Sequence, residues 1–414
     1  MSTITLPARV ALQNSDFFEP AREIAVVRGS LEHTSGMTNA AKPAPSNPRT
    51  LVMEGIATGV PSEFTKQSDA AKKVCGLFEA DAAQQERITR LYTKTRIDKR
   101  HMTVDPLQPK FDRNLSIRKR MDLFLELASP LAIDVSSRAL HSAGTTADEI
   151  GLLVLVTSTG FIAPGVDVAV MKALGLSPSV SRLTVNFMGC AAAMNGLRAA
   201  TDYARAHPDK KSLICCIELS SVNAVFADNI NDVIISSLFA DGCAAMVVGS
   251  RSGSGPELQG TLRNGQIIIH EHFCQFVEGS DDGITLGVNA NGITCDLSAK
   301  LPSYIRNGLD PVIRSTLNRH GMTKADVDYW AIHPGGPKII EESVRSLGVS
   351  EKVASTSWDV LAEYGNMLSA SLPFVLQRMV TRANRDGTSG KGLAFSFAPG
   401  VTVEGIFFEI PLCN

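Results

Sequence analysis

Two distant stretches of the chain repeat one pattern, and this repeat constrains the fold more than any other feature. Thr145-Thr146-Ala147-Asp148-Glu149-Ile150 leads into the apolar run Leu152-Leu153-Val154-Leu155-Val156. Thr323-Lys324-Ala325-Asp326-Val327 leads into Tyr329-Trp330-Ala331-Ile332. Each follows a helix-like stretch and a glycine, Gly144 or Gly321, and each shares the order T-x-A-D turn, apolar strand, polar Gly/Pro loop. A buried strand after a helix indicates βαβ units with parallel pairing. The recurrence predicts an α/β chain built from two related halves. Gly, Ser and Pro cluster in Arg251-Ser252-Gly253-Ser254-Gly255-Pro256, which sets a boundary near residue 260. The halves expected are 49–260 and 261–414. Residues 1–48 carry Ser, Thr, Asn and Pro without sustained periodicity, the composition of a flexible extension. A strand is expected over 50–57, and helices over 68–75, 80–92 and 116–139.

With 414 residues the chain can build two cores. Forty Lys and Arg nearly balance 42 Asp and Glu, which excludes a nucleic-acid binder relying on bulk positive charge. No apolar run reaches membrane-spanning length, and no charged-then-apolar signal follows Met1, so a cytoplasmic protein is expected. The eight cysteines lack paired zinc-type spacing and read as free thiols of a reducing compartment. Cys215 and Cys216, inside Leu213-Ile214-Cys215-Cys216-Ile217, read as small core residues.

Cys190 differs. In Val185-Asn186-Phe187-Met188-Gly189-Cys190-Ala191-Ala192-Ala193, a β-rich run reaches a Gly-Cys turn and small helix formers follow. Such a junction puts a thiol near the free N–H groups of a helix N-terminus, whose dipole favours the thiolate. The alternative is a buried structural cysteine, as for most of the other seven. Downstream lie His333, in Trp330-Ala331-Ile332-His333-Pro334-Gly335-Gly336-Pro337, and Asn366, in Tyr364-Gly365-Asn366-Met367. A Cys with a distant His and Asn is the layout of a thiol-nucleophile enzyme. His333 can take the thiol proton and then, as an imidazolium that lowers the thiol pKa, donate to a substrate carbonyl; or it caps a strand end. Asn366 can donate to an enolate or oxyanion without adding charge; alone, it would read as a left-handed turn residue. His270, His272 and Cys274 fall on one strand face at period two. Three such neighbours seldom converge on one tetrahedral ion, so a solvent-facing edge is expected there, not a metal.

The Gly-Cys-Ala-Ala, Ile-His-Pro-Gly-Gly-Pro and Tyr-Gly-Asn-Met segments occur together with Leu238-Phe239-Ala240-Asp241-Gly242 and the closing Phe397-Ala398-Pro399-Gly400-Val401-Thr402-Val403-Glu404. As a set they resemble the type III polyketide synthases, the chalcone/stilbene-synthase-like branch of the thiolase superfamily. The resemblance runs from about residue 50 to the C-terminus. It implies a homodimeric thiolase fold of five layers, αβαβα, with acyl-CoA and malonyl-CoA as substrates and neither metal nor other cofactor. Cys190 would be acylated by a starter, from CoA or from an upstream carrier protein. His333 and Asn366 would hold the malonyl thioester carbonyl during decarboxylation. The enolate would then attack the Cys190 thioester, and the cycle would repeat before ring closure. Two donors at the thioester oxygen supply the electron sink that decarboxylation needs.

Other family positions carry over singly. Phe239 matches the gatekeeping phenylalanine beside the nucleophile. Arg87, Arg90 and Lys94 share one helix face and match the basic residues that grip CoA phosphates; a solvated basic face is the plain alternative. Ser158 and Ala163 match the loop after the first buried strand, Ala163 standing where a methionine usually reaches into the partner's pocket. Cys295 replaces a second gatekeeping phenylalanine of plant chalcone synthases, and Asn223 and Leu368 replace a pocket threonine and serine. The closing loop has Ala398 where the family pattern has glycine. A Cys for a Phe enlarges the cavity, so a fatty starter is expected, and a resorcinol, pyrone or phloroglucinol-type product, as in alkylresorcinol and alkylpyrone synthases. The rivals are a ketoacyl-carrier-protein synthase III or HMG-CoA-synthase-like enzyme making one condensation, and a catalytically silent thiolase-fold partner subunit.

Overall fold

The computed structural model describes residues 49–108, 110–223, 230–253, 258, 261–290 and 292–412. The extension expected over 1–48 lies outside them, as does most of 254–260, where the boundary is expected. The strands are β1 (Arg49–Gly59), β2 (Phe64–Lys66), β3 (Lys99–His101), β4 (Ile150–Thr157), β5 (Ser181–Asn186), β6 (Lys211–Leu219), β7 (Asp241–Ser252), β8 (Ile267–Phe276), β9 (Ile284–Asn289), β10 (Gly292–Leu297), β11 (Tyr329–Ile332), β12 (Gly390–Ala398) and β13 (Thr402–Ile410). The helices are α1 (Gln67–Leu77), α2 (Ala82–Lys94), α3 (Ile117–Ala143), α4 (Val166–Ala173), α5 (Ala192–Ala206), α6 (Ile230–Leu238), α7 (Leu301–Arg319), α8 (Pro337–Leu347), α9 (Ser355–Tyr364) and α10 (Ser371–Asp386).

Nine strands follow the order β11-β12-β13-β8-β1-β7-β6-β4-β5. Outward from β1, the pairs β1–β7 and β7–β6 are antiparallel and β6–β4 is parallel. Outward from β8, β8–β13 and β13–β12 are antiparallel and β12–β11 is parallel. The first half adds β5, parallel to β4. β1 and β8 meet antiparallel at a short seam, from Leu51↔Ile269 to Met53↔Ile267. The two halves are thus one topology used twice.

The repeat that predicted this has a structural basis, one residue out of the expected alignment. Thr146 and Thr323 each open a 3-10 turn, and their N–H groups donate to Glu149 and to Asp326, both at 2.8 Å. A capping box needs its acid three residues after the threonine. Thr146 therefore corresponds to Thr323, not Thr145.

Strand periodicity sorts the side chains into layers. Leu153, Leu155, Leu213 and Cys215 face α3 and α4. Leu152, Val154, Ile214 and Cys216 face the opposite way, onto α5 and α10. Ala331, Ala394, Ile406 and Phe408 close on those two helices from the second half. Trp330, Ile332, Leu393 and Phe395 face outward onto α7 and α8. The result is the five-layer αβαβα thiolase arrangement, with α5 and α10 at its centre. Each fully buried Leu, Ile or Val contributes about 1.5–3 kcal/mol of transfer free energy, and the central layer is built largely from such residues and alanine.

The expected edge at His270, His272 and Cys274 is not one. β8 lies inside the sheet, between β13 and β1. Each side chain has a partner: Glu409 for His270, Thr201 for His272 and Glu404 for Cys274. Cys215 and Cys216 are buried core thiols as expected, and Cys215 Sγ lies 3.9 Å from Cys243 Sγ.

Candidate active site

After β5 the chain turns sharply, with Phe187 and Gly189 both at positive φ, and Cys190 sits in the 3-10 turn Gly189–Ala191 that leads into α5. Glycine eases position 189: φ is +57°, and a Cβ there would crowd Pro399 Cδ in the closing loop at 3.2 Å. The Gly189 N–H donates to Ser158 Oγ at 3.0 Å, so the loop after β4 holds the cysteine turn.

Asn366 faces this turn from the second half. It follows Gly365, whose φ of +75° and ψ of −162° belong to glycine alone. Its backbone is bridged to the Phe239 segment: Asn366 N–H donates to Leu238 O at 2.9 Å, and Ala240 N–H to Asn366 O at 2.8 Å. The amide orientation follows from its partners, since Leu368 N–H donates to Oδ1 at 2.9 Å. Nδ2 is left to donate, to Gly335 O at 3.1 Å and toward Cys190 Sγ at 3.8 Å. His333, at the end of β11, is anchored by its N–H to Phe395 O at 3.0 Å. It is buried, and among the described residues neither ring nitrogen has a hydrogen-bond partner.

The electrostatics depart from the expected thiolate. Burial pushes the Cys190 thiol up, helped by the Cys295 thiol nearby, while Asn366 pulls it back only partly. Burial also holds the His333 imidazole down at about 3. Both shifts favour the neutral thiol and the neutral imidazole, so desolvation opposes the helix terminus here.

Glu218 is a residue that the motifs did not single out. It is buried at the end of β6, and its carboxylate accepts from Ser158 N–H at 3.1 and 3.0 Å, Thr159 Oγ1 at 2.7 Å and Ser369 Oγ at 2.5 Å. Burial raises it to about 7, and these hydrogen bonds oppose the rise. The available signal was one acid inside the apolar run of residues 213–219, where an unpaired charge is costly.

A cavity of about 250 Å³ lies beside these groups, and Ser158, Asn223, Phe239, Cys295 and Leu368 all line it. Its other walls include Leu107, Ile235 and Ile293. Cys295 stands on β10, its thiol raised to about 12 by burial. Ala163 is exposed and does not line this cavity. Arg87, Arg90 and Lys94 are exposed on α2, with Arg90 paired to Glu86 at 2.5 Å. The inner face of α2 reaches the cavity wall, where Tyr92 Oη lies 3.1 Å from Ser236 Oγ.

Comparison with known proteins agrees with this arrangement. Residues 39–252 match the model of the chalcone and stilbene synthases, N-terminal domain, and 268–411 match that of the C-terminal domain. The chain therefore belongs to the chalcone and stilbene synthase family, the type III polyketide synthases. It is 56% identical over 388 residues to the alpha-pyrone synthesis polyketide synthase-like Pks18 of Mycobacterium tuberculosis, covering 92% of this chain and 96% of that one. The structure of PKS-I from the brown alga Ectocarpus siliculosus superposes with a TM-score of 0.81 at 40% identity, over 88% of this chain and 99% of that one. The C-terminal type III domain of Steely1 from Dictyostelium gives 0.78 at 28% identity, over 87% and 99%.

Proposed function

We propose that Cys190, His333 and Asn366 carry an iterative decarboxylative condensation of malonyl-CoA onto a fatty acyl-CoA starter, released as an alkylpyrone. The observation that carries this reading is the Asn366 amide, turned so that Nδ2 donates toward Cys190 Sγ. Neutral His333 accepts the thiol proton as sulfur attacks the starter thioester, and returns it to the departing CoA thiolate. Malonyl-CoA then loses CO₂. The electron pair passes to its thioester oxygen, held by Asn366 Nδ2 and His333. The enolate carbon attacks the Cys190 thioester: a C–C bond forms, the C–S bond breaks, and the lengthened chain is left on CoA. Transfer back to Cys190 starts the next round.

Phe239, Ser158, Asn223, Cys295 and Leu368 would shape the space for the chain, and their common cavity supports that role. The pyrone is favoured by the name of the mycobacterial relative. Arg87, Arg90 and Lys94 would grip CoA, a role supported by their exposure on a helix that abuts the cavity. A homodimer is supported by the open edge of β5, where residues 181–184 are exposed, and by exposed Ala163, which could then reach the partner. The halves would divide near residue 260. CoA thioesters as substrates and the free thiols of the described residues favour the cytoplasm. Incubation with malonyl-CoA and a panel of acyl-CoAs, read by mass spectrometry, tests the reading. Products growing by successive two-carbon units on long starters are expected. A single condensation would favour the ketosynthase-III-like alternative, and no turnover would favour a silent subunit.

A further inference from the structure

We propose that Glu404 is a positioning residue: it sets the register between the halves at the helix that carries the nucleophile, and thereby the Cys190–Asn366 separation. The proposal rests on the synthase reading above. Glu404 lies buried on β13, in the second half. Its Oε1 accepts from Asn195 Nδ2 at 2.9 Å and from the Cys274 thiol at 3.1 Å, and Oε2 is ion-paired with Arg198. Asn195 and Arg198 lie one turn apart on the same face of α5. Thr201 continues that face, its hydroxyl 2.9 Å from His272 Nε2 on β8. Three α5 residues are thus bound by polar groups to second-half strands, alongside the apolar side chains of the central layer.

Apolar contacts are non-directional and tolerate a small slide. A buried carboxylate does not, because a slide breaks directional bonds and leaves a charge unpaired. α5 begins two residues beyond Cys190, so its axial position is that of the nucleophile. His333 and Asn366 belong to the second half. Phe239 precedes them in the chain but is bonded through its neighbours to Asn366, and moves with it. A slide of α5 therefore shifts Cys190 relative to the donors without disturbing the donors themselves.

Two partial reactions separate these effects. Decarboxylation of malonyl-CoA breaks the bond to CO₂, and the enolate takes a proton from water to give acetyl-CoA. It uses the donors alone. Condensation also needs the enolate carbon to reach the acyl group on Cys190. Glu404→Gln is expected to lower product formation about 10- to 100-fold, the scale of a misplacement near 1 Å, while decarboxylation stays within about twofold of the native rate. Arg198→Ala removes a side chain that is 35% exposed and should give a smaller loss with the same split, restored by Arg198→Lys. Should Glu404→Gln fail to fold, the two Arg198 variants carry the test. Equal loss of both partial reactions, or unchanged product formation in Glu404→Gln or, where that does not fold, in Arg198→Ala, overturns the proposal. Failure of the synthase reading is distinct: the native protein would make no product from malonyl-CoA and any acyl-CoA.

Discussion

At the scale of residues, one hydrogen bond decides what Asn366 can do. The Leu368 N–H occupies Oδ1, so the amide offers a donor toward Cys190. Asn366→Ala should slow malonyl-CoA decarboxylation by about 10²–10³-fold, the scale of losing one oxyanion donor. Acylation of Cys190, read as the mass of the acyl-protein, should survive. Asn366→Asp keeps the shape but presents a negative acceptor, and should lose at least as much; equal loss of acylation would mean that Asn366 only builds the loop. Cys190→Ala should abolish condensation products while leaving acetyl-CoA formation from malonyl-CoA measurable, because the donors remain. Glu218 yields a pH signature. Its folded pKa is raised from 4.5 to about 7, so the folded state binds the extra proton. Its contribution is full below pH 4.5 and is lost as pH rises through 7. Glu218→Gln, which cannot ionise, should gain stability relative to the native protein over that window, on the order of 3 kcal/mol by pH 8, seen as a diverging pair of melting temperatures. Cys190, His333 and Asn366 stood out in the sequence as candidates because each lies in a short motif of restrictive neighbours. Their protonation was not. A helix N-terminus shows in the sequence, but the depth of burial that outweighs it depends on layers brought together from distant parts of the chain.

Among the elements, loops and hairpins set the site's dimensions. Gly365 fits only as glycine: a Cβ there would stand 2.8 Å from Arg100 Cγ and 3.0 Å from Leu238 O. Gly365→Ala should cost about 1–3 kcal/mol of stability from backbone strain alone. It should also reduce kcat, since the shift displaces Asn366; a variant with native melting and native kcat would remove this loop from the argument. The β9–β10 hairpin carries Cys295 into the cavity wall. Each additional buried methylene contributes about 0.8 kcal/mol, so an open cavity favours long starters. Cys295→Phe should refill it and move the acyl-CoA length profile to short chains, with activity on a small starter retained. An unchanged profile would dissociate Cys295 from chain length. Element types were readable from periodicity, and the boundaries less so. The repeat was visible as T-x-A-D, yet the capping box that causes it is defined by threonine and acid spacing, which moved the correspondence by one residue. β8 was misread as an edge because its run of polar side chains resembles one; only the pairing with β1 and β13, and the bond from His272 to Thr201 of the central α5, tell them apart.

For the whole molecule, β5 leaves one side of the nine-stranded sheet open. Among the described residues it pairs with β4 alone, and Leu183 and Phe161 nearby are 40% and 39% exposed. An edge with unpaired backbone groups and apolar side chains is a ready template for a second copy. Sedimentation should find a dimer, and Leu183→Lys should shift it toward monomer with loss of activity; a native monomer of full activity would exclude the dimer. The two-half plan was legible because each half repeats helix, turn and strand. The seam between the halves was not, because it joins only three residue pairs of β1 and β8. That seam also relates the two sides of the site. A twofold rotation that exchanges β1 with β8 also exchanges α5 with α10, and so exchanges the turn bearing Cys190 with the loop bearing Asn366. Two identical halves would set like against like at this point, two nucleophiles or two donors. In this chain the two halves differ there, with a thiol on one side and an amide on the other.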